Sequence, residues 1–329
     1  MGIRRYLLSF ASLMGVLLIA VSCRHMPLYD PTSGVWLSLD IKLRTEDGTA
    51  EGQDTKAIPV KYPENVRVLV YSVETGALVA EDFVAATGGF IDIPVGTYDF
   101  VVYGLGTESV RISGTESATG ALASLSAVGA DLSMRNNGAE GQGELNLRYP
   151  VMYEPDHLFV GKASNLYIPA RAGVSETVHI DMELVSMMET WTFVARNVQG
   201  AENIRKLSCY ITGQIPKRYL WDMRYPSDEA CALPLDVSYV PESGTIEGSF
   251  NTFGRHAMTS SSVFLNVMIQ NDAGSMYQWI FNVTDQFEDP MNKDRVLVVD
   301  RPIVIPMGDE GGFRPDVNDW DAEIIWVPL

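Results

Sequence analysis

Short apolar runs recur along the chain between clusters of Gly, Pro, Asn and Asp. From Val35 onward these runs are rich in Val, Ile, Tyr and Trp, and runs of this length bounded by turn residues are typical of strands in sandwiches and barrels. The pattern predicts strands at Val35–Leu43, Val66–Val73, Leu78–Phe83, Phe90–Ile93, Tyr98–Tyr103, Val178–Leu184, Leu207–Ile211, Ile246–Phe250, Val263–Ile269, Met276–Val283, Val296–Val299 and Ile324–Val327. Helical periodicity is scarce, so we expect an all-β protein.

The length of 329 residues suggests two consecutive β-sandwich domains of about 150 residues each. We place the N-terminal sandwich at residues 35–185 and the C-terminal sandwich at residues 186–329. Residues 113–143 are rich in Gly, Ala, Ser and Thr, and they are expected to form an insertion that contributes no core. Within it, Ala118 to Ala130 is read either as a short surface helix or as part of a mobile loop.

Residues 1–22 have the pattern of a signal peptide. Arg4 and Arg5 precede an apolar stretch from Tyr6 to Val21, which is shorter than the roughly 20 residues of a transmembrane helix. Ser22-Cys23 then resembles the bacterial lipoprotein signal, in which the thiol accepts a diacylglycerol. We expect lipidation at Cys23 and a tether over residues 23–34, with ordinary secretory cleavage as the alternative.

The formal net charge of −18, from 24 basic and 42 acidic residues, argues against a nucleic-acid partner, since phosphate binding needs concentrated Lys and Arg. An anionic membrane surface also repels such a chain. The expected membrane contact therefore rests on the lipid at Cys23.

Two cysteines besides Cys23 are present, Cys209 and Cys231. In an oxidising compartment they could form one disulfide. Cys209 shares a strand face with Leu207 and Ile211, so a pair of buried thiols is the other interpretation.

The sequence offers no metal, cofactor or catalytic motif. The four histidines, His25, His157, His179 and His256, do not have ligand spacing, and His179 is expected to face solvent on an alternating strand. The acidic loop Asp316–Asp321 is read as solvated, with calcium as the alternative. Asp285, Glu288 and Asp289 could supply a glycosidase pair, but chance carboxylates of an acidic β protein explain them equally well. We therefore expect a protein that is not an enzyme.

Five short blocks are spread along the chain: Leu28-Tyr29-Asp30, Pro94-Val95-Gly96-Thr97-Tyr98 with Tyr103, Thr252-Phe253-Gly254, Val283-Thr284-Asp285-Gln286, and Gly311-Gly312-Phe313-Arg314-Pro315 with Trp320. In their order they resemble a family of uncharacterised Bacteroidota lipoproteins related to fimbrillin-associated anchor and accessory proteins. The resemblance implies two Greek-key, transthyretin-like sandwiches, lipid-anchored at the outer membrane and associated with fimbria-like assemblies. It implies no catalytic residue.

Two partners follow as hypotheses. Fimbrillin-like subunits could join by strand addition, and the extended tail Asp321–Leu329 would then be a donor, or else simply the last strand of its own domain. A glycan is the alternative partner, for which Trp221 in the polar and basic stretch Lys217–Arg224 is the candidate stacking residue.

Overall fold

The computed structural model describes residues 32–42, 60–128, 149–170, 177–226, 229–256, 262–307 and 322–326. The signal peptide, Cys23, His25, most of the tether and the loop Asp316–Asp321 lie outside these residues. The strands are β1 Thr32–Lys42, β2 Asn65–Ser72, β3 Leu78–Ala85, β4 Gly88–Pro94, β5 Gly96–Gly104, β6 Val110–Ser113, β7 Leu122–Leu125, β8 Phe159–Ile168, β9 Val178–Ser186, β10 Glu189–Ala195, β11 Val198–Gln199, β12 Ile204–Gln214, β13 Lys217–Tyr219, β14 Cys231–Val240, β15 Thr245–Thr252, β16 Phe264–Asn271, β17 Met276–Asn282, β18 Val296–Val299, β19 Ile303–Val304 and β20 Ala322–Trp326. One short α-helix, α1 Thr284–Glu288, and two 3-10 turns complete the described part. The all-β prediction is confirmed.

The N-terminal strands form a closed barrel in the order β1-β4-β3-β2-β5-β8-β9. The ring closes because β1 lies between β4, which runs antiparallel to it, and β9, which runs parallel. The sequence pattern predicts a sandwich of two open sheets for this domain, whereas the structure has a single sheet closed into a ring. A parallel pair joins segments far apart in the chain, so local hairpin patterns do not indicate it.

Alternate residues of the barrel strands point inward and build one core. Side chains of this core from six different strands include Leu37, Val68, Ile91, Phe100, Phe159 and Leu184. Their opposite neighbours face outward, as strand geometry requires. The register of each pairing therefore determines which side chains meet on the outer surface.

The C-terminal strands form one eight-stranded sheet in the order β18-β10-β15-β14-β12-β16-β17-β20. The first half of β14 pairs with β12, and its second half, from Asp236, pairs with β15. Strand β14 is thus shared by two halves of the sheet. Large apolar side chains from both halves, such as Phe193, Phe250 and Trp279, belong to a single buried cluster.

The described part of the Gly/Ala-rich segment is structured and partly buried. Strands β6 and β7 pair with each other, and β13 adds to β7 to give a three-stranded sheet. Ala121 and Ala123 are 0% exposed, so the expectation that this segment contributes no core is wrong for these residues. Their small side chains allow close packing in a cluster that also contains Leu69 and Tyr103 of the barrel. The segment therefore joins the barrel to the C-terminal sheet, while residues 129–143 lie outside the description.

Candidate functional site: the edges of the C-terminal sheet

The tail strand β20 forms one edge of the C-terminal sheet. It runs antiparallel to β17, with Trp326 opposite Tyr277 and Ala322 opposite Phe281. The described tail is thus the last strand of its own sheet, which is one of the two interpretations that the sequence left open. No described strand pairs with the outer side of β20.

The opposite edge, β18, is closed by side chains. Gln286 Nε2 donates to the carbonyl of Val298 at 2.9 Å, and the Val298 N–H donates to Gln286 Oε1 at 2.7 Å. Asn292 makes the same pair of bonds with Val296, at 3.0 and 3.1 Å. Each side-chain amide thus takes the place of a neighbouring strand at one residue of β18. This arrangement blocks edge-to-edge pairing, a problem that β proteins must manage at every free edge.

The short helix α1 holds Gln286 in place. Phe287 stacks on Trp191 with ring centroids 4.0 Å apart, and Thr284 Oγ1 accepts the Val263 N–H at 2.8 Å. Packing on one side and a hydrogen bond at the start of the helix fix its orientation. The block Val283–Gln286 therefore has a structural task that the sequence did not indicate.

The carboxylates considered for a glycosidase pair have other partners. Glu288 forms an ion pair with Arg255, and the Asp289 carboxylate accepts the Met291 N–H at 2.8 Å. Asp285 is exposed on α1. These contacts give two of the three carboxylates structural roles.

A half-buried acid that the sequence did not single out lies near the end of β15. Glu154 Oε1 accepts the Asn251 N–H at 2.6 Å. Burial, with the nearby carboxylates Asp236 and Asp156 adding to it, raises the pKa of Glu154 to about 7 despite this hydrogen bond. The two residues are 97 positions apart, so no local pattern could have revealed the contact.

Cys209 and Cys231 are both buried free thiols. Cys209 on β12 lies opposite Leu235 of the neighbouring strand β14. Cys231 lies four positions from Leu235 on that strand. That offset is about 13 Å at the rise of a strand, whereas a disulfide needs Cα atoms within roughly 7 Å. Of the two interpretations left open, this geometry favours buried thiols, and burial raises the pKa of both, that of Cys231 to about 12.

The described histidines lie apart from one another. His179 is exposed on β9, and His256 is buried and packs against Tyr225 at 5.0 Å. Burial lowers the pKa of His157, whose ring nitrogens have no hydrogen-bond partner among the described residues. In the part of the chain that the structure describes, no group of three or more His, Cys, Asp and Glu side chains could hold a metal.

Trp221 is a poor candidate for stacking on a sugar. Its ring is half-buried and packs against the main apolar cluster. Lys162 Nζ lies over the ring, 5.7 Å from its centroid, and also donates to the Trp221 carbonyl. One face of the indole is therefore already occupied.

Within the described ranges, no helix has the length and apolar character needed to cross a membrane.

Comparison with solved structures defines the class of fold. The chain is similar to a putative adhesin from Bacteroides ovatus, with a TM-score of 0.56, 21% identity, and coverage of 83% of this chain and 94% of that one. It is also similar to the fimbrial anchor protein Mfa2 from Porphyromonas gingivalis, with a TM-score of 0.48, 13% identity, and coverage of 89% and 97%. The first of these comparisons shows that the chain shares its fold with that solved structure.

Sequence comparison then gives the family. Residues 53–224 match the model of the "Domain of unknown function (DUF5119)", and the chain belongs to this family. It is 27% identical over 206 residues to the "Putative fimbrium anchoring subunit Fim4B" of Bacteroides ovatus, a match that covers 62% of this chain and spans about half, 53%, of that relative. The resemblance to Bacteroidota proteins related to fimbrial anchors is confirmed.

Proposed function

We propose that this protein is a lipid-anchored anchor or accessory subunit of a fimbria-like assembly, and that a fimbrial subunit adds an extended strand to the outer edge of β20. The observation that carries the proposal is the difference between the two edges of the C-terminal sheet. One edge is closed by Gln286 and Asn292, and the other ends in the terminal strand. The fimbrial names of the relatives support the same class of function.

Strand addition uses main-chain hydrogen bonds and therefore needs a free edge. The barrel strands form a ring, although β3 meets β4 at one residue pair and β8 meets β9 at two. Of the two edges of the C-terminal sheet, β18 is closed by side-chain amides, which leaves β20 as the candidate edge for a partner. A subunit that accepts one strand suits a position at the end of an assembly, as an anchor or accessory subunit occupies.

Lipidation at Cys23 would supply the membrane contact that a chain of net charge −18 does not gain electrostatically. A Cys23→Ser variant is expected to leave the outer-membrane fraction and to lack the mass of the acyl chains, while cleavage after Ser22 is blocked. Retention of the variant in the outer-membrane fraction, or an unmodified Cys23 in the native protein, would contradict the anchor.

A crosslinked pull-down from native membranes tests assembly. We expect fimbrial subunits to co-purify with the chain, and recovery of the chain alone would contradict the proposal. Two adjacent variants, Ile324→Pro and Ile325→Pro, make the test specific. Val283 donates to Val263 on β16, so by alternation along β17 the Gln278 groups face β20 and the opposing Ile325 N–H faces β17. Ile325→Pro therefore removes a bond to β17, whereas Ile324→Pro removes only an outward donor. Ile324→Pro is expected to lose the partner while the sheet stays intact.

A further inference from the structure

Three ring-bearing side chains line up across the outer surface of the barrel. Trp36 on β1 lies directly opposite Phe90 on β4 and opposite His179 on β9. Trp36 and Phe90 are 45% and 44% exposed, and His179 is exposed as well. Isolated exposed aromatics are ordinary, but these three occupy one row on three neighbouring strands. The row spans two interstrand spacings, about 10 Å.

The positions on either side of this row are small or acidic. Along β1, the outward neighbours of Trp36 are Gly34 and Ser38, which lie opposite Asp92 and Asp181. Gly34 has no side chain and Ser38 has a small one, so neither brings a large group beside Trp36. The two carboxylates, both exposed, lie at opposite corners of the platform and can accept hydrogen bonds there.

The chemistry of this surface selects among ligands. The row and its neighbours contain no Lys or Arg, so the surface does not attract phosphate, sulfate or uronate groups. A peptide strand cannot add here, because both edges of β1 are already paired with β4 and β9. A row of exposed rings with hydrogen-bond acceptors beside it suits the apolar face and the hydroxyl rim of a neutral sugar ring.

We propose that Trp36, Phe90 and His179 form a binding platform for a neutral polysaccharide, with Asp92 and Asp181 accepting hydrogen bonds from sugar hydroxyls. The length of the row matches a disaccharide unit. This platform lies on the barrel, whereas the proposed fimbrial contact lies on β20, so either can fail without the other. The two together would give an anchored subunit that also holds glycan.

The test measures retention of the full chain, purified in detergent, on immobilised mannan, xylan, β-glucan and α-glucan. Polygalacturonate serves as the anionic probe and polylysine as the cationic probe. We expect at least one neutral polysaccharide to bind, and Trp36→Ala or Phe90→Ala to weaken that binding by about tenfold each, since each removes a large apolar contact. Trp36→Tyr keeps an aromatic ring and should retain most of the affinity.

Tyr153→Ala is the matched control, because Tyr153 is a 38% exposed aromatic residue off the barrel strands, where its N–H donates to the Ser126 carbonyl and the adjacent Glu154 accepts the Asn251 N–H of β15. It should bind as the native chain does. Should Trp36→Ala fail to fold, Phe90→Ala and Trp36→Tyr still decide the result. Binding to none of the neutral polysaccharides, or binding that both alanine variants leave unchanged, would overturn the proposal. Retention on polylysine alone would also overturn it and would indicate a cationic partner.

Discussion

Gln286 and Asn292 each bond the outward N–H and C=O of one residue of β18, using both the donor and the acceptor of a side-chain amide. A β-strand partner would offer the same two groups at each of these positions. Two residues of the right length, one on α1 and one in the loop after it, thus close an edge that would otherwise accept another chain.

Replacing both amides tests this closure. We expect the double variant Gln286→Ala/Asn292→Ala to lower the free energy of unfolding by about 2–4 kcal/mol, because five side-chain hydrogen bonds of modest net value are lost. The freed edge should also promote self-association, measured by analytical ultracentrifugation. Gln199→Ala, at an exposed glutamine on β11, is the control and should change neither quantity. A monomeric double variant with native stability would show that these amides do not protect the edge.

Glu154 makes stability depend on pH. The folded protein holds the Glu154 proton more tightly than the unfolded chain does, with a pKa of about 7 against an ordinary 4.5. Its contribution is therefore complete below pH 4.5 and is lost as the pH rises through 7. The native chain should lose about 2–3 kcal/mol of its free energy of unfolding between pH 4.5 and 8. The Glu154→Gln variant should not show this loss.

Chemical denaturation at several pH values measures this effect. The control is Glu202→Gln, at an exposed position, which should keep the pH profile of the native chain. A Glu154→Gln profile that also matches the native profile would contradict the assignment.

The two buried thiols should be inert in the folded protein. Burial raises the pKa of Cys209 and Cys231, which suppresses the reactive thiolate. In a Cys23→Ala background, a thiol reagent should label neither cysteine in buffer and both in guanidinium. Failure to label either in guanidinium without a reductant would instead reveal a disulfide.

At the scale of elements, the contact between β7 and β13 depends on small side chains. Ala123 is fully buried and lies opposite Arg218 on one side and Ile112 on the other. Ala123→Leu should overpack this site and lower the free energy of unfolding by about 1–3 kcal/mol. Ala85→Leu, on the exposed side of β3, is the control and should be nearly neutral. Equal stability of the two variants would mean that the segment does not pack as described.

The predictable part of the fold consists of strands with strong local patterns. The run Met276–Val283 corresponds to β17, and the turn Asn271–Gly274 joins it to β16 as an antiparallel hairpin. Strand β14 could not be predicted in the same way, because Pro234 and several polar residues interrupt its pattern. It is nevertheless an interior strand, and its partners are decided by tertiary packing.

Of the candidate site, only the tail strand could be predicted from the sequence. The run Ile324–Val327 indicated a terminal strand, and β20 is found there. The closure of β18 could not be predicted, because Gln286 can bond to Val298 only after folding brings the two residues together. The aromatic row on the barrel also escaped prediction, since the parallel register of β1 with β9 brings His179 beside Trp36.

At the scale of the whole molecule, the net charge of −18 and the side-chain closure of β18 limit how the chain can associate. Charge disfavours close approach of two copies, and the C-terminal sheet leaves β20 as its candidate edge for main-chain pairing. We therefore expect a monomer that associates directionally with a different subunit rather than with itself.

Amide hydrogen exchange, with and without the co-purifying fimbrial subunit, tests strand addition at β20 most directly because it reports main-chain pairing itself. We predict that the subunit slows amide exchange in residues 322–326 and leaves amide exchange in residues 296–299 unchanged. A bound subunit that leaves 322–326 unprotected, and protects another surface instead, would contradict docking at this edge.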